Sequence, residues 1–197
     1  MNPKTFIFFG RSGCGKGTQA KFLIEALQKL DSQKRVLYLE TGQKFREFST
    51  EASYTSKLVK GVMEQGGLLP EFLPIWIWSE YLVRHMDGNE HMVLDGLSRR
   101  PHEALILDSA MKFYKREKPF VISIDVSREW AGDRLRNRGR SDDNKIDIEA
   151  RLNWYDENVV PVLEYFKDNP YYQFVSINGE QEIEQVHQEI LAKTGLN

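Results

Sequence analysis

Cysteine is nearly missing from this chain: Cys14 stands alone among 197 residues. A lone thiol can form neither an internal disulfide nor a thiolate metal cluster, so zinc held by four cysteines is excluded and a reducing compartment is expected. Long apolar runs are missing too. No stretch approaches the roughly 18 residues of a membrane span, and no basic leader with an apolar run and a cleavage site stands before the first strand pattern. A cytoplasmic protein without a membrane partner is the expectation. Charge of one sign is not in excess: 27 Lys+Arg stand against 29 Asp+Glu, a net charge of -2. Without a global basic field, nucleic acid is not an expected partner, and any anion must be bound locally. Repeats and low-complexity linkers are absent as well. A single domain over residues 1–197 is expected, because a chain of this length buries about 70% of its unfolded surface and needs no covalent staples.

What is present is an alternation of short apolar runs with longer amphipathic ones. Strands are expected near residues 5–9, 35–39, 92–94, 120–125 and 173–177, and helices near 16–29, 100–116, 128–137, 147–167 and 180–193. That order predicts an α/β fold, a five-stranded parallel sheet flanked by helices. Between the second and third strands the chain is too long for a simple crossover. It reads as three helices, 42–48, 53–65 and 71–86, with Gly66-Gly67 closing the middle one. Such an insertion is a flap that can fold over a ligand at the carboxyl edge of the sheet.

The most informative stretch runs from Phe6 to Gln19. An apolar strand enters a glycine-rich turn in which Gly10 and Gly15 bracket four residues ahead of Lys16. At this spacing successive backbone N–H groups of Ser12, Gly13, Cys14 and Gly15 can curl around a phosphate, while Lys16 reaches its outer oxygens. The helix that follows adds its N-terminal dipole. One position deviates from the strict pattern: Gly17 intervenes between Lys16 and Thr18. Cys14 fills a small-residue position in this cradle, and a thiol near a helix N-terminus can also carry a lowered pKa.

A second motif is His91-Met92-Val93-Leu94-Asp95-Gly96, a buried strand ending in a carboxylate. As a parallel neighbour of the first strand it would bring Asp95 to the phosphates, where it could hold magnesium through water. Asp-Gly after a strand is also an ordinary turn. Arginines form the third feature: Arg46, Arg99, Arg100, Arg134, Arg138, Arg140 and Arg151 stand after strands or on two helices around a short turn. Two phosphorylated nucleotides gather about six negative charges, of which one magnesium cancels two, so several arginines would be required. The plainer reading is an i,i+4 ladder with carboxylates such as Asp133.

These motifs together resemble the adenylate kinase family of nucleoside monophosphate kinases, over nearly the whole chain. The Gly-Lys-Gly-Thr-Gln ending at residues 15–19 is similar to that family's phosphate loop. Thr41-Gly42 and Arg46 resemble its acceptor segment, Gly66-Gly67-Leu68-Leu69-Pro70 the segment over the acceptor base, and Asp95-Gly96-Leu97-Ser98-Arg99 its Asp-Gly-Phe-Pro-Arg. Arg134, Arg138, Arg140-Ser141-Asp142-Asp143 and Arg151 resemble its donor-site arginines and lid. The resemblance implies a P-loop NTPase fold, a helical insertion over residues 41–70 for the monophosphate, and a lid reduced to residues 138–144. It implies ATP with Mg2+ as donor, held by residues 12–18 with Arg134 and Arg138. The monophosphate would meet Thr41, Gly42, Arg46, the Leu69 carbonyl, Gly96, Arg99, Glu103, Arg140 and Arg151. Lys16, Arg99, Arg138, Arg140 and Arg151 would carry catalysis, and Asp95 the metal. A monomer or small homo-oligomer is implied.

Three departures from the family pattern stand out. Gln43 replaces an aspartate near the metal, which leaves Asp95 as the acidic residue there. Leu97-Ser98 replaces Phe-Pro and loosens the turn that presents Arg99. Glu103 stands where a glutamine reads adenine, and a carboxylate can only accept. Thr41 favours AMP through the resemblance, with GMP or CMP as the alternative acceptors. Water exclusion would fall to the flap more than to so short a lid, so closure is expected to be dominated by the flap.

The catalytic groups that are missing agree with phosphoryl transfer. No Ser-His-Asp set stands out, and none is needed, since an acceptor phosphate with a second pKa of about 6 is already largely ionised. A regulatory nucleotide-binding module and a hydrolase remain as readings from other classes. Trp76 and Trp78 are read as helix packing or one wall of the acceptor pocket rather than a stacking platform for nucleic acid, and His85, His91, His102 and His187 as structural or surface groups without metal-ligand spacing.

Overall fold

Thr5–Phe9 (β1) is buried along its whole length. Its side chains alternate between two apolar clusters, Phe6 and Phe8 on one face and Ile7 and Phe9 on the other. A strand that is apolar on both faces must be covered on both. In the computed structural model, which describes residues 1–65, 67–138 and 145–196 with the backbone alone at 138 and 145–147, β1 is the middle strand of five. The order is β2-β3-β1-β4-β5, with β2 at Val36–Glu40, β3 at His91–Asp95, β4 at Phe120–Asp125 and β5 at Gln173–Asn178. Every pairing is parallel, as expected.

The helices are α1 (Lys16–Leu30), α2 (Thr41–Phe48), α3 (Tyr54–Glu64), α4 (Phe72–His85), α5 (Pro101–Phe113), α6 (Arg128–Arg138), α7 (Lys145–Trp154), α8 (Val160–Asp168) and α9 (Ile183–Thr194). One face of the sheet is covered by Leu23 and Leu27 of α1, Leu135 of α6, Leu152 of α7 and Ile190 of α9. The other is covered by Leu82 of α4, Leu107 and Met111 of α5 and Phe166 of α8. The flap has a cluster of its own, Phe45, Val59, Leu73 and Ile77. Because Leu73 and Ile77 belong to α4, the packed unit reaches beyond residue 70.

The long helix expected over 147–167 is broken. Tyr155–Val159 forms a π-helical turn between α7 and α8. Pro161 explains it: a proline has no N–H to give and its ring crowds the carbonyl four residues earlier, so a wider turn absorbs the mismatch. The helix expected to reach residue 116 ends at Phe113, and Lys115 takes φ 52 just after it. The last helix starts at Ile183 rather than 180, where Glu182 and Gln185 form a reciprocal capping box.

With β1 between β3 and β4, the crossovers leave β1 on opposite sides. A crevice opens at the carboxyl ends of these strands. The phosphate-loop motif and Asp95 both sit on its rim.

Candidate active site

The glycine loop leaves β1 at Gly10, whose φ is 145 and whose added Cβ would lie 2.6 Å from both Cys14 Sγ and the Ile124 carbonyl oxygen. Only glycine permits that approach. Gly15, with φ 97, turns the chain into α1. Lys16 folds its ammonium back into the loop, donating to the Gly10 oxygen at 2.7 Å and the Arg11 oxygen at 3.1 Å. These carbonyls hold the charge where a phosphate would meet it. Burial pushes the Cys14 thiol up, against the pull of Lys16. The lowered thiol pKa that a helix N-terminus can give is therefore not realised here.

Asp95 ends β3 and faces the loop. It pairs in register with Phe8 of β1 and Glu40 of β2, and a Cβ on Gly17 would lie 3.9 Å from its Oδ2. Burial raises its pKa, Lys16 and Arg99 lower it, and Glu40 on the next strand raises it again. Arg99 stands four residues further on. Loss of water among crowding protein atoms lowers its pKa, while Asp95 and Glu103 oppose that. Its surface remains exposed, so the guanidinium stays charged. A narrow cleft is lined by Gly10, Lys16, Gly96, Arg99 and Tyr155. Among the described residues no group of three His, Cys, Asp or Glu side chains could hold a metal alone. Asp95 with water is suited to a cation shared with phosphates.

At the carboxyl end of β2, beside Asp95, Thr41 opens α2. Its hydroxyl is buried and makes no hydrogen bond. Arg46, one turn along the same helix, donates from Nη2 to Glu40 Oε1 at 2.8 Å. Gly42 lies against both, since a Cβ there would be 3.3 Å from Arg46 Nη1 and 3.8 Å from Glu40 Oε1. Glu103 is 1% exposed, and its Oε2 accepts the Arg99 backbone N–H at 2.8 Å. The Leu69 carbonyl lies near Arg100, which also reaches Glu103.

Residues 8–171 match the family model described as adenylate kinase. The chain belongs to the adenylate kinase family. An adenylate kinase 1 of Synechocystis sp. is 32% identical over 183 residues, covering 93% of this chain and 92% of that protein. An adenylate kinase of Prochlorococcus marinus is 32% identical over 177 residues, with 90% and 92% covered. One of Corynebacterium diphtheriae is 29% identical over 189 residues, with 96% and 98% covered. The sheet and loop are thus those of the P-loop NTPase fold as adenylate kinases build it.

Within this adenylate kinase family fold, Arg134 is exposed on α6 with its guanidinium 4.5 Å from the centre of the Trp130 ring. Asp133 pairs with Arg136 at 2.5 Å. Arg151 lies on α7 and is half-buried. Arg140, Ser141, Asp142 and Asp143 lie outside the described residues, as does the Arg138 side chain, so the lid is not placed. Several neighbours escaped sequence reasoning. Arg11 donates to Asp156 Oδ1 at 2.6 Å and to the Val126 oxygen at 2.9 Å, and lies over the Tyr155 ring. Asp156 also takes Arg128 at 2.5 Å. Trp154 carries both Arg99 and Arg100 on its ring, at 5.2 and 5.4 Å. The Trp-Tyr-Asp run at 154–156 is the only trace of this in the sequence, and its register becomes readable once the π-helical turn is known.

A groove of about 600 Å3 opens at the opposite, amino end of the strands, beside Lys4, Lys118 and Gly195. It lies away from the loop. Lys4 and Lys118 donate there to the carbonyls of Thr194 and Pro170.

Proposed function

We propose that the chain transfers the γ-phosphoryl group of ATP to AMP, reversibly, forming two ADP. The observation that carries this is the convergence of Lys16, Asp95 and Arg99 at the ends of the neighbouring strands β1 and β3, with Thr41 and Arg46 following the next strand, β2, whose Glu40 pairs in register with Asp95. A binding module needs the loop alone. Cations at the ends of three adjacent strands suit a group that moves between two anions.

An oxygen of the acceptor monophosphate forms a bond to the γ-phosphorus as the bond to the β,γ-bridging oxygen breaks, and the leaving ADP keeps that electron pair. The loop N–H groups and Lys16 orient the donor, with Arg134 beside it. Arg46 and Arg99 hold the acceptor phosphate, and Thr41, Gly42, Leu69, Gly96 and Glu103 its nucleoside. Arg138, Arg140 and Arg151 complete the charge around the transferred group. Asp95 would hold magnesium through water, and the ion would supply charge neutralisation at the donor phosphates.

Coupled detection of ADP decides it. ADP must form from ATP only when AMP is added. ADP formation without any monophosphate would identify a hydrolase, and none under any condition a binding module. The Glu103 carboxylate favours testing GMP and CMP beside AMP, UMP and dTMP; fastest turnover with GMP would overturn AMP as acceptor.

A further inference from the structure

The two groups set around the acceptor base by resemblance, the Leu69 carbonyl and the Glu103 carboxylate, are bridged by one side chain. Arg100 donates from Nη2 to the Leu69 oxygen at 3.5 Å and from Nη1 to Glu103 Oε1 at 3.3 Å. Its Nε lies 3.4 Å from Glu71 Oε1, and its guanidinium lies over the Trp154 ring. The arginine side chain is 15% exposed. It is therefore fixed in plane and position by stacking below, Glu71 at the rim and Glu103 at the floor.

Both bridging contacts are longer than the 2.7–3.2 Å of a good N–H···O bond. The guanidinium spans a gap without saturating the two oxygens. Glu103 cannot reorganise freely, because its other oxygen already holds the Arg99 N–H. It can accept a hydrogen bond and never donate one. A base placed here meets two acceptors, Leu69 O and Glu103 Oε1, with a dense donor between them.

We propose that Arg100 is a specificity-determining residue that reads the acceptor base, supplying the donor that Glu103 lacks. This rests on the monophosphate kinase reading above. An exocyclic amino group gives its hydrogens to Leu69 and Glu103, while the adjacent ring nitrogen accepts from Arg100. Adenine has that edge, with its amino group beside N1. Cytosine has the same order on a smaller ring. A keto group at that position, as in guanine or uracil, would set its oxygen against the Leu69 carbonyl. The acceptor class is thus amino-bearing bases, AMP first and CMP second.

The test compares AMP with 1-deaza-AMP, in which a C–H replaces the accepting nitrogen, for the wild type and for Arg100→Met. Methionine keeps an apolar stem over Trp154. Losing a charge-assisted hydrogen bond costs on the order of 10- to 100-fold, so wild-type kcat/KM should favour AMP by that factor. The difference should lie mainly in KM. In Arg100→Met the two substrates should come within about threefold of each other. Adding Glu103→Gln to Arg100→Met should restore the preference, since an amide both donates and accepts. A purely structural Arg100 would slow both substrates alike. Should Arg100→Met not fold, Arg100→Leu serves, with the same ratio read, since it too has no donor. An unchanged AMP preference in the folded variant overturns the assignment of Arg100 and leaves the kinase reading standing. A wild type that forms no ADP in response to AMP overturns both.

Discussion

Arg46 is tied to Glu40 by a 2.8 Å ion pair that closes on the flap's own root, where β2 runs into α2. The arginine proposed to grip the acceptor phosphate is therefore engaged before that phosphate arrives. Glu40 also faces Asp95 from the neighbouring strand and raises its pKa.

Glu40→Gln should release Arg46. The pair is half exposed, so it is worth at most about 1 kcal/mol. The KM for AMP should fall by up to about fivefold with kcat nearly constant. Steady-state kinetics at saturating ATP check this, and a raised KM would show that Glu40 positions Arg46 productively.

Lys16→Met should remove activity without unfolding the chain, because the ammonium contacts only groups of its own loop, the Gly10 and Arg11 carbonyls and the Cys14 sulfur, and holds no other element in place. Loss of a preorganised charge on the transferred group predicts a drop in kcat of at least about 10²–10³. Turnover at the wild-type rate, with an unchanged circular dichroism melt, would refute its role.

Ser98 sits at φ 53, the left-handed region, with its hydroxyl buried and unpaired. Ser98→Gly should raise stability by about 0.5–1 kcal/mol. Proline is locked near φ −65 and cannot follow this turn, so Ser98→Pro should cost about 1–3 kcal/mol and displace Arg99. Denaturant midpoints separate the two. The Leu97-Ser98 turn is thus different from one built on Phe-Pro, and is held by the Glu103 bond to the Arg99 N–H.

His91 is fully buried, and its Nδ1 accepts the Lys4 N–H at 3.0 Å. Burial lowers its pKa below the usual value of 6.5, and Asp31 only partly opposes that. The protonated form thus favours the unfolded chain. Stability should be full above pH about 6.5 and decline as pH falls below it toward the folded-state pKa. In His91→Leu the slope between pH 7 and 5 should flatten; an unchanged slope would assign the decline to other groups.

Periodicity and the glycine loop made the sheet, its parallel order and the Lys16 cradle legible, because these depend on local spacing alone. The Asp95 position followed from two adjacent parallel strands. What stayed hidden depends on tertiary closeness. Nothing in the spacing of residues 69, 71, 100, 103 and 154 shows that Arg100 joins them. The break after Trp154 was hidden because amphipathic periodicity on both sides of a π-helical turn still reads as one helix. Glu40 facing Asp95 needed the one-residue shift of β2 that the structure supplies.

The shared carboxylate of Asp156 has a mechanical meaning. It holds Arg11, the second residue of the phosphate loop, and Arg128, the first residue of α6, from the wide turn that ends α7. Two helices bearing proposed site arginines, Arg134 on the donor side and Arg151 at the transferred group, are thereby pinned at their bases to the loop itself. One carboxylate thus fixes the crevice ends of both helices to the phosphate site, so a change at the loop is felt at the root of each.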